Sequence, residues 1–232
     1  MALPEAKKTA AEKAVTYVQN NMIVGLGTGS TAKFAIEFIG HRVAAGLKVQ
    51  GVATSLETER LAKENNIPLL TEFKEVGVTI DGADEVDAQG NLIKGGGGAL
   101  TREKIVAAAS KKEIIIIDEA KLVETLGAFP LAVEVLPFGW TFVQKKLGTL
   151  GCEVNLRKKS GEIFLTDNQN YVLDCNFKQI REPDKLEREI NSIPGVLENG
   201  LFVGHTNLVI VGKADGTTQE FVYQNNKGRR SW

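Results

Sequence analysis

The sequence predicts an α/β fold: a mostly parallel sheet with helices on both faces, interrupted by a smaller α+β domain. Three observations carry this expectation. Short β-branched runs alternate with helical patterns through the first half, the order of elements changes near Pro130, and the chain closes on a strand-like hairpin after that second region.

The first half supplies the alternation. Met22–Gly27 reads as a buried strand and Thr31–Gly46 as a helix with a glycine stop. Lys48–Thr54 is a second strand, Ser55–Asn66 a second helix, and Val76–Val86 a third strand running into an acidic loop. Glu113–Asp118, with four consecutive isoleucines, is a β-branched run too short for an ordinary helix. Beyond Pro130 the order is strand (Leu131–Leu136), helix (Gly139–Gly151), strands (Cys152–Arg157, Glu162–Asp167, Asn170–Phe177), helix (Pro183–Ile193) and strand (Gly195–Phe202). This approximates the split β-α-β-β-α-β order of a ferredoxin-like unit with one added strand. Asn207–Lys213 and Thr218–Gln224, joined at Asp215–Gly216, form a hairpin expected to return to the first sheet. The expected division is therefore a Rossmann-like domain from residues 1–130 and 206–232, with a ferredoxin-like domain from 131–205.

Composition narrows the function classes. The chain of 232 residues is 43% hydrophobic and 25% charged with a net charge of −1, and both signs are spread along it, which argues against a nucleic-acid or membrane-surface partner. Cys152 and Cys175 follow no zinc spacing and read as small core residues of a reduced, cytoplasmic protein. The N-terminal stretch is an amphipathic helix pattern without the apolar segment of a signal peptide, and the polar Asn225–Trp232 reads as a frayed tail.

Three loops following predicted strands are candidates for chemistry, because ligands in parallel sheets sit at the carboxyl ends of strands. Gly25–Thr31, GLGTGST, offers glycines for close backbone approach, the hydroxyls of Thr28, Ser30 and Thr31, and a helix N-terminus, together a phosphate cradle. It resembles a dinucleotide fingerprint, but Ser30 occupies the third glycine position. A plain helix cap is the bland alternative. Asp81–Asp87, DGADEVD, places four carboxylates within one turn; it lacks the glycine and glutamate of a calcium loop, so it is either a solvated turn or acid–base equipment for sugar hydroxyls. Leu92–Lys104, LIKGGGGALTREK, sets Lys94 before four glycines and a helix. Unlike a linker, the run carries no serine or proline, so Gly95–Gly98 read as an ordered loop whose amides, with Lys94, face developing negative charge. On a helix beginning at Ala99, the residues Ala99, Glu103, Val106, Ala107 and Ser110 share a face and Thr101, Lys104, Lys111 and Lys112 lie opposite. Glu103 is then a carboxylate in a small apolar sector, suited to act as a base or else to pair with Arg102 or Lys104.

The three loops, in order and spacing, closely resemble the signature segments of the ribose-5-phosphate isomerase A family, as do LAVEVLP, TDNQNYVLD and IPGVLENGLF further on. Two departures are visible: Ala120 stands where that family commonly has serine, and Gln169 where it commonly has glycine. The resemblance implies interconversion of D-ribose 5-phosphate and D-ribulose 5-phosphate in the non-oxidative pentose phosphate pathway, through a cis-enediolate, with no metal or organic cofactor. It implies Glu103 as the base, Lys94 and the Gly95, Gly96 and Gly97 amides as oxyanion stabilisers, and Asp81 with Asp84 for ring opening and hydroxyl binding. Substrate binding would fall to Thr28, Gly29, Ser30, Thr31, Gly82, Ala83 and Lys121, and the family implies homodimers or homotetramers. Two other classes remain open at this level: a sugar-phosphate sensor without turnover, and a nicotinamide-dependent oxidoreductase built on the first loop.

Overall fold

The computed structural model describes residues 3–223, so the expectation for Asn225–Trp232 lies outside it. In chain order the first elements are α1 (Leu3–Val15), β1 (Met22–Leu26), α2 (Ser30–Ala44), β2 (Val49–Ala53), α3 (Leu56–Glu64), β3 (Val76–Asp81), α4 (Leu100–Ala109) and β4 (Ser110–Asp118). There follow β5 (Leu131–Val135), α5 (Trp140–Gly148), β6 (Glu153–Leu156), β7 (Tyr171–Asn176), α6 (Pro183–Asn191), β8 (Val196–Asn199), β9 (Leu208–Gly212) and β10 (Thr218–Val222). The two-residue strands Glu85–Val86, Leu92–Ile93 and Leu201–Phe202 make a separate antiparallel sheet.

The chain divides into two compact units. One takes the chain up to Ala83, then Arg102–Leu122 and the segment from Gly204; the other takes Asp84–Thr101 and Val123–Val203. Residues 84–101 and 123–130, counted from sequence with the first domain, thus group with the second. Long-range pairing explains the difference: Leu92–Ile93 bonds to Leu201–Phe202, and Leu126 bridges Ile180.

The first unit is a six-stranded sheet in the order β10-β9-β4-β3-β1-β2, parallel except for the β9–β10 hairpin. Period-two patterning sorts its side chains: Val24, Leu26, Val78, Ile80, Ile114, Ile116, Leu208 and Ile210 join one core with Ala10 and Ala14 of α1, Ile36 and Ile39 of α2, and Leu61 of α3. A separate cluster joins Val106 of α4 with Val52 and Val76. Ser55 caps α3, its hydroxyl accepting from the Thr58 amide.

The second unit has a four-stranded antiparallel sheet in the order β8-β5-β7-β6, the ferredoxin-like arrangement. Leu131, Val133 and Val135 of β5 and Leu173 and Cys175 of β7 pack with Val143 and Leu147 of α5 and Ile190 of α6. Proline in its first turn fits α6. Glu162–Asp167, expected as a full strand, keeps only Glu162–Ile163 in a short hairpin with Lys158–Lys159. Both cysteines are free; Cys175 is buried, Cys152 half-buried. The Cys152 thiol donates to the Leu147 carbonyl at 3.5 Å; the influence of Cys175 lowers the pKa of Cys152, while that of Cys152, with burial, raises that of Cys175. Among the described residues no helix is long and apolar enough to cross a membrane.

Candidate active site

Because β1, β3 and β4 are parallel neighbours, their carboxyl ends share one edge of the first unit's sheet. Gly27–Gly29 leaves β1 there, Asp81–Ala83 ends β3 there, and β4 delivers a short 3₁₀ turn, Glu119–Lys121. Asp118 caps that turn by accepting the Ala120 amide at 3.1 Å, which sets the half-buried Lys121 at the edge. Helix α4 runs directly into the start of β4, so its first turn, with Glu103, lies towards the same edge.

The first loop is organised from below. Asp81, 1% exposed, accepts the Thr28 amide at 3.0 Å and the Gly82 amide at 2.7 Å on one oxygen. The Thr28 hydroxyl meets those of Thr54, Ser55 and Thr58 at 2.8, 2.9 and 3.1 Å. That hydroxyl was expected to face a ligand; it is engaged by its own scaffold instead. Gly29, at φ 105°, opens α2, Ser30 is exposed and Thr31 is buried behind it. Lys7 of α1, which the sequence reading passed over, donates to Ser30 Oγ at 3.1 Å. Its only signal was a basic residue on an otherwise ordinary amphipathic helix.

Glu103 is 5% exposed and shares its buried face with Val106 and Ala107, as the 3.6-residue period requires; Ser110, expected on that face, is buried too but is the first residue of β4. The opposite face differs from expectation. Lys104 is buried as well, and Ile105 is the exposed residue at 55%, because 100° per residue puts position 105, not 104, across from 103. Lys111 and Lys112 belong to β4, since the helix ends at Ala109.

In the second unit the acidic stretch continues. Asp84 donates its amide to the Ile93 carbonyl at 2.8 Å, which sets it beside the end of Leu92–Ile93, where Lys94 follows. Lys94 is 2% exposed, with its ammonium 5.4 Å from the centroid of the Phe202 ring. Asp84 Oδ2 accepts the Gly96 amide at 2.8 Å, and the Gly98 amide closes a turn on the Gly95 carbonyl at 2.9 Å. Of the run's four amides, those of Gly96 and Gly98 are engaged, on Asp84 and on the Gly95 carbonyl, and Gly97 is an exposed residue. Glu85 accepts the Gly127 and Phe129 amides, and Asp87 the Gln89 and Asn91 amides. The four carboxylates of DGADEVD are not a solvated turn: each holds the backbone of a different segment.

A further buried carboxylate escaped the sequence reading. Glu134, on β5 and fully buried, accepts from the hydroxyls of Thr101 and Thr166 and from the Asn170 amide group, tying the start of α4 to the 166–170 turn. Gln169 in that turn has φ 63°, the left-handed region that explains why glycine is common there in the resembled family.

The comparisons agree with one another. Residues 50–216 match the family model described as ribose 5-phosphate isomerase A (phosphoriboisomerase A). A ribose-5-phosphate isomerase A from Oceanobacillus iheyensis is 52% identical over 90% of this chain and 95% of its own length. A ribose 5-phosphate isomerase from Plasmodium falciparum superposes with a TM-score of 0.93 at 42% identity, covering 95% of this chain and 99% of that one. A D-ribose-5-phosphate isomerase solved in complex with phospho-erythronic acid superposes with a TM-score of 0.92 at 38% identity, covering 96% of this chain and all of that one. With half of its residues shared across nearly its whole length, this chain belongs to the ribose-5-phosphate isomerase A family.

Proposed function

We propose that this chain carries out its family's reaction, the interconversion of D-ribose 5-phosphate and D-ribulose 5-phosphate, by a proton transfer in which Glu103 is the base. The observation that carries this reading is a carboxylate nine-tenths enclosed in the first turn of α4, at the carboxyl edge of a parallel sheet. In the open-chain aldose, Glu103 takes the proton from C2, electrons move into a C1–C2 enediolate with the charge on O1, the O2 hydroxyl proton passes to O1, and the same carboxyl returns its proton to C1 as C2=O forms. Lys94 and the Gly97 amide stabilise the negative oxygen. Asp81 assists ring opening and, with Asp84, orders the hydroxyls. Ser30, Thr31, Gly29, the α2 N-terminus, Lys7 and Lys121 take the phosphate, which a helix N-terminus and two ammonium groups suit. Thr28, Gly82 and Ala83 shape that edge through their backbone. The relative solved with phospho-erythronic acid supports such a substrate class, because that ligand pairs a phosphate with an anionic oxygen group.

The test is conversion of ribose 5-phosphate to ribulose 5-phosphate in the presence of EDTA, with Glu103→Gln as control. Turnover in the variant is expected to fall by about 10²–10⁴ with an unchanged thermal midpoint. Near-normal turnover would remove Glu103 from this role.

A further inference from the structure

Arg157 follows β6 with its side chain 13% exposed, and Asp174 of β7 beside it is 21% exposed. Nε donates to Asp174 Oδ2 at 3.0 Å and Nη2 to Oδ1, the two-pronged geometry that fixes a guanidinium plane. The remaining nitrogen, Nη1, donates to the Gly95 carbonyl at 2.8 Å and the Gly96 carbonyl at 3.3 Å. Phe164 lies 5.8 Å from the guanidinium and closes over Gly98, so the cation is held from three sides.

A trans peptide points its C=O and the following N–H in opposite directions. A guanidinium that gathers the Gly95 and Gly96 carbonyls on one side therefore turns the Gly96 and Gly97 amides to the other. The Gly96 amide is found there, on Asp84 Oδ2. We propose that Arg157, clamped by Asp174, is a positioning residue for the isomerisation: it aims the Gly97 N–H at the reacting oxygen and does not itself touch substrate. The inference rests on reading the glycine run as an oxyanion stabiliser. Since Asp174 balances the charge of Arg157, the pair acts through orientation, and its effect belongs on kcat more than on KM.

The experiment measures kcat, KM, thermal midpoint and inhibition by phospho-erythronic acid for Arg157→Gln, Arg157→Lys, Asp174→Asn and Gly97→Pro, the last of which removes the N–H itself. Arg157→Gln is expected to lower kcat by about 10- to 100-fold with KM nearly unchanged, the scale of a reacting group displaced by an ångström. Arg157→Lys, which keeps charge but loses the fork, recovers part of it; Asp174→Asn loses less than Arg157→Gln; and inhibitor affinity falls in parallel with kcat. If Arg157→Gln or Asp174→Asn keeps wild-type kcat while Gly97→Pro loses it, Arg157 is a scaffold residue only and the proposal is overturned. If Gly97→Pro, folded, also keeps full kcat, the oxyanion reading itself fails. Should Arg157→Gln not fold, Arg157→Lys and Asp174→Asn decide by the same criteria.

Discussion

At Gly96 an added Cβ would lie 2.8 Å from Asp84 Oδ1 and 3.0 Å from Phe129 Cζ, whereas at Gly98 it would lie 2.4 Å from Phe164 Cε1 on a backbone with φ +82°. The two glycines are therefore required for different reasons. Gly96→Ala must displace the Asp84 carboxylate and break its bond to the amide, a change in the site that the fold can absorb. Gly98→Ala must both move a ring and adopt a left-handed conformation that costs an L-residue about 1–2 kcal/mol. We expect Gly96→Ala to lose turnover with little change in thermal midpoint, and Gly98→Ala to lose several degrees; calorimetry with the isomerase assay on both variants separates them. The reverse pattern would mean that the run serves folding at Gly96 and chemistry at Gly98. At this scale the sequence revealed which residue types were unusual, four glycines and four clustered acids, but not which amide or oxygen each would engage. Hydrogen bonds across many residues, such as Glu85 to Gly127 and Arg157 to Gly95, leave no local periodicity to read.

Elements were more legible, because burial imposes periods of two and 3.6 that any window of sequence displays. All four parallel-strand predictions in the first half, and the hairpin at Asp215–Gly216, are present within a few residues. What failed was the junction of α4 and β4, where no loop separates helix from strand, and Glu162–Asp167, whose apolar residues pack without a long ladder. One tie between elements makes a signed prediction. Glu220 on β10 accepts from Tyr17 Oη at 2.8 Å and pairs with Lys13 of α1 at 3.1 Å. The Tyr17 hydrogen bond, then Lys13, lower the Glu220 pKa below its ordinary 4.5, and the same bond raises that of Tyr17. A lowered folded-state value stabilises above the unfolded pKa and is lost as pH falls through the folded one. Glu220→Gln should thus lower the thermal midpoint at pH 7 by about 1–4 °C and converge with wild type as the pH falls through the lowered folded-state pKa. A constant difference across that range would assign the effect to packing.

For the whole molecule, the decisive topological fact is the place of β9. It pairs with β4 residue for residue, Leu208 with Ile114 through Gly212 with Asp118, although the entire ferredoxin-like unit lies between them in sequence. Alternating strand and helix patterns announced a parallel sheet, and the terminal hairpin announced a return to it, yet neither could show that the two-residue strands near Glu85 and Leu92 belong with Leu201–Phe202. A chain cut after Val203 keeps every proposed catalytic residue but loses the neighbour of Ile114–Ile117. We expect it to yield no cooperative melting transition and no near-ultraviolet circular dichroism; a soluble, active fragment would show β9 and β10 to be dispensable.

That pairing also sets a clock for biosynthesis. At ribosomal speeds of about 5–20 residues per second, β4 leaves the exit tunnel roughly 5–20 s before its partner exists. During that interval a strand of four isoleucines presents an open edge, the form most inviting to another nascent chain. Whatever shields it, whether α1 already laid across β4 or a bound chaperone, acts before the enzyme has any activity to protect.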